Sequence, residues 1–492
     1  MSGSRPLTPP PHVARHNTYR TYRATLLRMA MAGHTALRLR GLRPGKALTL
    51  ATAALALLAW TEFTLRIVLP VMLEGPWRRP AAWVAARLAL EGQADLIYRD
   101  RAVFAAESVR LGALPDIFEP NAPTTLLFYL PLAPLPIDLA RNIWIIFNLV
   151  CLLAALWTLL RVLRLPLPVM LATIAAVAAF QPVRNNTHLG QVYGLALLLV
   201  VAGSVLAGRA SQSSTLPTGA GASRYNSVAA GCAFALLAIV RQFYGLMQLL
   251  TPLIKRQWTV LISTACLYTV VAVVTLGWLG PGIWVESLRS GLTWRGRPES
   301  AVTAYQSVNG LLTHLFRYHP TWNPGPVADL PWLLDPLWWA LTLLIVAASS
   351  VAVWRSQASR GEDAGEGNSK STPASGLLPY ALATPVALLV SPTSEEYHFA
   401  QALFPLVVVG TVLWERQVHR AGRSVRPRTT LASWLVLALA LLLLGLPLRY
   451  YNVPGTEGVW AFAYYPRLYG TLLLWGLMLA LLWRLPRLPD KA

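Results

Sequence analysis

A run of apolar side chains from residue 47 to residue 73, opening ALTLATAALALLAW, is the first of a dozen such stretches, and nothing else in the chain constrains the fold as strongly. Crossing the ~30 Å hydrocarbon core of a bilayer takes about 20 helical residues. The remaining stretches fall near 123–140, 142–163, 165–183, 189–208, 226–254, 257–282, 336–354, 376–391, 397–415, 431–449 and 467–484. They predict an all-α polytopic membrane protein of about 11–13 transmembrane helices. Two stretches are irregular. The Pro-rich 123–140 (LPLAPLP) reads as short or re-entrant, and 226–254 reads as breaking near Arg241 and Gly245. Backbone that leaves the helix at membrane depth is tolerated only where it is buried or lines a cavity.

Composition excludes a large soluble fold. Of 492 residues, 55% are hydrophobic and only 13% charged, against about 25% charged in soluble domains. The net charge of +21 follows topology. The tail 1–46 carries Arg5, Arg15, Arg20, Arg23, Arg28, Arg38, Arg40, Arg43 and Lys46 with no acidic residue. Arg416, Arg420, Arg423, Arg426 and Arg428 form a second cluster between spans. Basic flanks of this kind mark the cytoplasmic side, so no nucleic-acid partner is expected. The expected organisation is a basic cytoplasmic tail, 1–46, and a membrane domain, 47–492, in a multi-pass protein of the cell membrane. Its long outer segments are 74–122 and 283–335, and the Gly/Ser-rich stretches 209–225 and 356–376 read as inner linkers. Cys151, Cys232 and Cys266 all lie in apolar segments and read as small hydrophobes.

The polar residues at span ends carry the functional signal. An ionisable group at membrane depth is costly and normally faces a cavity or a partner. Glu62 and Arg66 are spaced to neutralise each other along one helix. Arg241, in LLAIVRQFYG, has no such local partner, and its planar fork suits a phosphate-bearing headgroup. Three polar clusters join it: VRNNTHLGQVYG, with Arg184 and Gln191; YQSVNG, with Gln306, Ser307 and Asn309; and SPTSEEYHFAQ, with Glu396 and His398. Amides and hydroxyls suit sugar hydroxyls, while Arg and His suit phosphate oxygens. Trp284, Trp294, Trp322 and Trp332 in the second outer segment read equally as interfacial anchors and as substrate contacts.

In order along the chain, WVAARLALEGQADLIY (83–98), NAPTTLLFYLPLAPLPIDLARNIWIIFNL (121–149), LGQVYGLALLLV (189–200), AIVRQFYGLMQLL (238–250), YQSVNGLL (305–312) and SPTSEEYHFAQ (391–401) resemble glycosyltransferase family 87. Its members are polyprenyl-phosphate-mannose-dependent mannosyltransferases. The resemblance implies a GT-C type bundle with its site at the outer leaflet. It also implies a polyprenyl-phosphate sugar as donor and a cell-envelope glycolipid or glycan as acceptor. Transfer would invert configuration, with an acidic residue near the start of the first outer loop as general base. Neither cofactor nor metal is expected, because the lipid phosphate leaves without one. On this resemblance Arg241, His398 and Arg184 are expected at the donor phosphate. Gln191, Gln306, Ser307, Asn309 and Glu396 are expected at the sugar or acceptor.

One departure from the family pattern is plain. The aspartate that precedes the W/Y-x-A-A-R helix in the family falls at or near Arg78, in PWRRPAAW. The expected replacements are Glu74, Glu119 and Asp95 from the same outer segment, and Glu74 also reads as an i,i+4 partner of Arg78. A lipid or lipid-linked sugar transporter, or a silent scaffold of the same fold, would share the cavity and the cations but need no base.

Overall fold

The computed structural model describes residues 44–73, 75–213, 220–294, 297–362, 372–421, 428–447 and 457–483. Helix α1 (Pro44–Phe63) runs through a π-helical turn, Thr64–Val68, and on to Leu73. Pro70 has no N–H to return to Arg66, and the turn before it widens, with Leu69 N–H reaching Thr64 O. Residues 75–122 hold α2 (Ala81–Leu90) and α3 (Arg101–Arg110). Asp100 starts α3 by accepting from the N–H groups of Ala102 and Val103.

The stretch 123–140 is no span. A 3-10 turn at Pro123–Thr125 and one helical turn at Leu126–Tyr129 give way to irregular backbone, and α4 (Ile137–Val162) is the next crossing. After it, α5 (Leu167–Ala179) and α6 (Gln181–Leu189) meet at a 53° bend next to Pro182. Then come α7 (Tyr193–Ser213), α8 (Ala220–Val240), the short α9 (Gln242–Gln248) and α10 (Trp258–Leu279). Beyond α10 come α11 (Pro281–Trp294) and α12 (Val308–Phe316). The chain ends in α13 (Leu334–Glu362), α14 (Pro373–Ala381), α15 (Ala383–Val390), α16 (Leu403–Ala421), α17 (Arg428–Gly445) and α18 (Pro466–Trp483). Helical structure thus extends into both stretches read as linkers, of which 214–219 and 363–371 lie outside the described residues.

The protein is an all-α polytopic membrane protein. Among the described residues nine helices are long and apolar enough to cross a membrane, ten if α5 and α6 count as one span. The sequence count was higher because 123–140 breaks into short pieces and only 431–445 of α17 is counted, as a shorter apolar helix. At the centre, α7 packs against α4 and α8, and α8 against α10. On the outside, α1 and α10 expose Leu57, Leu58, Val270 and Val273, which hydrocarbon accommodates and water does not. Cys266 on α10 is exposed too, unlike buried Cys151.

Candidate active site at the Arg241 break

The helix that began at Ala220 stops at Arg241, whose φ of −145° and ψ of 88° leave the helical region. Its N–H still bonds back to Leu237 O at 2.7 Å, and its carbonyl receives Gly245 N–H at 3.0 Å, so it joins two helices without belonging to either. A break exposes carbonyls that must find donors. Here the Thr124 and Thr125 hydroxyls donate to Ile239 O at 3.2 Å, which is why 123–129 folds in against α8 instead of crossing. Gly245 lets α9 lie against the last turn of α8, where a Cβ would collide with the Ala238 backbone.

A second element enters from α6. It ends at Gly190 with φ +65°, and a Cβ there would run into the Trp77 indole. The Gly190 carbonyl accepts from Trp144 Nε1 at 3.1 Å and Trp77 Nε1 at 3.4 Å. This clamp presents Gln191 to the break. Arg241 Nη2 then donates to Gln191 Oε1 at 3.0 Å and Nη1 to Asn121 Oδ1 at 2.5 Å. Both partners are neutral amides, so no described carboxylate is bonded to the guanidinium.

Arg241 stands between two adjoining cavities. One, of about 150 Å³, is lined by Tyr193, Tyr244, Tyr397, His398 and Glu395 among others. The second, of about 70 Å³, is lined by Arg79, Asp116, Tyr129, Gln191, Tyr305 and Glu395. Asn121, Arg241, Glu395 and Tyr397 border both. Two buried polar atoms here have no partner among the described residues: Arg241 Nε and Tyr193 Oη. Buried donors are almost always satisfied, so these two stand out among the groups around the cavities. The His398 ring stacks 4.6 Å from Tyr193. Its Nδ1 accepts the Glu395 N–H at 3.3 Å and lies 3.0 Å from Tyr244 Oη. Because Nδ1 is an acceptor, the neutral ring carries its proton on Nε2.

Two carboxylates share the second cavity through Arg79. Arg79 Nη1 is 3.3 Å from Asp116 Oδ1, and Nη2 is 3.3 Å from Glu395 Oε2. Asp116 Oδ2 also accepts the Ala81 N–H at 3.1 Å, at the start of α2. Burial pushes the Asp116 carboxyl above its usual 3.8, against the opposing pull of Arg79.

The profile of glycosyltransferase family 87 matches residues 121–392. That match takes in the Asn121 support, the Gly190 clamp and the Arg241 break. The chain belongs to glycosyltransferase family 87. No curated protein and no solved structure matches it. It is a membrane glycosyltransferase, and the residues bordering its two cavities are the natural place to look for the family's chemistry.

Of the residues singled out from sequence, Arg241, Gln191 and His398 come together here. The others are placed elsewhere. Arg184 makes a two-pronged ion pair with Glu62, at 2.6 and 3.0 Å, and Glu62 also keeps the expected Arg66 at 3.6 Å. Glu119 is held by Arg101 at 2.8 Å and Arg297 at 2.5 Å. Asp95 is exposed and lines neither cavity, and Glu74 lies outside the described residues. Glu396 is buried against Arg467 and accepts from Asn185 at 3.0 Å. Gln306 donates to Thr303 O and Tyr464 O and accepts the Arg467 N–H. Ser307 caps α12, and Asn309 donates to Pro392 O. These last three side chains spend their polar groups on backbone, holding α12 and the 391–395 turn in register. What sequence reasoning missed is Arg79, Asp116 and Tyr193. Arg78, read as the family's aspartate position, points out while its neighbour Arg79 borders the cavity.

Proposed function

We propose that the protein moves a hexose, mannose by its family likeness, from a polyprenyl-phosphate donor to a glycolipid or glycan acceptor of the cell envelope, with inversion and without a metal. The observation that carries this reading is the unsatisfied Arg241 Nε beside the unsatisfied Tyr193 Oη. Both donate, and both stand at a cavity walled by Tyr244, Tyr397 and His398. Such donors match phosphate oxygens that gain charge as the sugar departs. Asn121 and Gln191 hold the guanidinium in place without neutralising it.

Inversion puts the base opposite the leaving phosphate. Asp116 fits that place: it lines only the second cavity, on the far side of Arg241 from His398, and burial strengthens it as a base. In the step, the acceptor oxygen bonds to the anomeric carbon and loses its proton to Asp116. The bond from that carbon to the phosphate oxygen breaks, and polyprenyl phosphate leaves with the electron pair. On this reading Asp116 takes the role of the family's aspartate, whose position falls at or near Arg78 here.

Purified protein in a bilayer, supplied with labelled polyprenyl-phosphate mannose and a total lipid acceptor fraction, tests the proposal. Expected are a mannosylated lipid and free polyprenyl phosphate, with Asp116→Asn still binding donor but not turning it over, and Asp116→Glu partly restoring turnover. Donor binding without any transfer by the native protein would overturn it in favour of transport.

A further inference from the structure

Among the described residues, Asn121, Arg241, Glu395 and Tyr397 border both cavities of the candidate active site, and Glu395 is the carboxylate in that group. The turn that carries it is held from several sides. Asn309 Nδ2 donates to Pro392 O at 3.0 Å, the Gln306 N–H to Ser394 O at 2.8 Å, and the Ser394 hydroxyl to Leu388 O at 2.8 Å. The Glu395 N–H itself donates to His398 Nδ1 at 3.3 Å. These bonds fix the backbone from which the carboxylate extends, as a binding site requires.

The Glu395 side chain is 16% exposed and lines both cavities. Arg79 Nη2 reaches its Oε2 at 3.3 Å, a long contact that does not exhaust a carboxylate with about four accepting sites. A carboxylate paired with arginine accepts hydrogen bonds and donates none. It repels phosphate oxygens and attracts hydroxyl hydrogens. A group that meets it in the cavity must therefore bring donors, which a sugar has and a phosphate diester lacks.

Position decides which hydroxyl. With the donor phosphate at Arg241 and Tyr193 and the base at Asp116, the anomeric carbon falls at the junction of the two cavities, and a residue bordering both stands beside it. The nearest hydrogen-bond donor to that carbon is the hydroxyl on C2, since the ring oxygen on its other side has no hydrogen to give. The same geometry disfavours Glu395 as the base. It borders the cavity of the leaving phosphate, whereas inversion removes the proton on the opposite face.

We propose that Glu395 recognises the donor sugar by accepting a hydrogen bond from its 2-hydroxyl. The assignment rests on the reading of the Arg241 cavity as the donor phosphate site. Arg79 engages both Asp116 and Glu395, so the base and the sugar ligand keep a fixed spacing. The carboxylate's charge also favours the positive charge that gathers at the anomeric carbon as the phosphate departs.

The test measures binding of the full chain, in phosphatidylcholine nanodiscs, to three fluorescent lipids: a polyprenyl-phosphate mannose, its 2-deoxy analogue, and polyprenyl phosphate without a sugar. The native protein is expected to bind the mannosyl lipid about tenfold or more tightly than the 2-deoxy lipid, in keeping with one charge-assisted contact. Glu395→Ala should bind the two sugar lipids alike, while holding polyprenyl phosphate no less tightly than the native protein does. Glu395→Gln keeps an accepting oxygen without the charge, so its preference should be intermediate. It decides the matter alone if the alanine variant does not fold, and a full native preference in it overturns the proposal. Retained preference in Glu395→Ala overturns it too, as does an equal loss of affinity for all three lipids, which would make Glu395 a support for the turn. A native protein that binds all three lipids equally overturns the proposal and leaves the donor phosphate site standing. A native protein that binds none of them overturns the donor reading itself, and this proposal with it.

Discussion

Replacing Arg241 with alanine separates the cation's role in chemistry from its role in holding the fold. The side chain makes two hydrogen bonds, to Asn121 at 2.5 Å and to Gln191 at 3.0 Å, and leaves Nε unpaired. Folding therefore loses two bonds to neutral amides. The expected cost is about 1–3 kcal/mol, a modest drop in melting temperature. The transition state loses more. A charge-assisted contact to a phosphate in a desolvated site is worth about 2–5 kcal/mol, or roughly 30-fold to several-thousand-fold in rate at 1.36 kcal/mol per decade. Arg241→Lys keeps the charge but not the fork, so it cannot hold Asn121 and Gln191 while also reaching the phosphate. Its turnover should fall between the two. The assay is steady-state transfer from polyprenyl-phosphate mannose in a bilayer, with kcat and KM separated and the melting temperature of each variant recorded. An alanine variant with native kcat/KM would show that Arg241 only supports the break in α8.

Four further outcomes follow from the same geometry. Turnover should decline on acidification, beginning above the pH at which an ordinary aspartate titrates, because the folded pKa of Asp116 is raised by burial; a flat pH profile through that region removes Asp116 as base. By the same sign, the Asp116 contribution to stability is full at low pH and is lost as the pH rises through that raised pKa. Glu119→Gln should keep most activity, since its carboxylate serves Arg101 and Arg297, at a stability cost of about 1 kcal/mol per pair or less; loss of turnover with an unchanged melting curve would return Glu119 to the chemistry. Gly190→Ala should destabilise by several kcal/mol, through its left-handed backbone and the Trp77 ring that a Cβ would strike, which thermal unfolding measures. Cysteines placed at Asp100 and Arg209 should react with an impermeant reagent from opposite sides of the membrane, as the two ends of the bundle require.

The spans were legible because hydropathy over about 20 residues is a local property. Arg241 was legible for the same reason: a lone cation interrupting an apolar run needs explaining wherever the rest of the chain goes. The break of 226–254 at that residue follows from it. The proposed base was not legible. Asp116 is one carboxylate among several between residues 74 and 122, and only the folded loop brings it under Arg79 and against the N-terminus of α2. The polar residues of YQSVNG misled for a related reason. An amide in a short polar motif looks the same whether it meets a sugar or a neighbouring carbonyl, and Gln306 and Asn309 meet carbonyls. Arg184 likewise carries the chemistry of a phosphate ligand, but Glu62 reaches it across 122 positions of sequence.

The central claim is that the Arg241 cavity holds the donor phosphate, and a structure with a non-transferable polyprenyl-phosphonate sugar tests it most directly. The account requires the phosphonate oxygens within hydrogen-bond distance of Arg241 Nε and Tyr193 Oη, with the sugar directed toward Asp116. A phosphonate bound away from Arg241, with those two donors still unpaired, would contradict it.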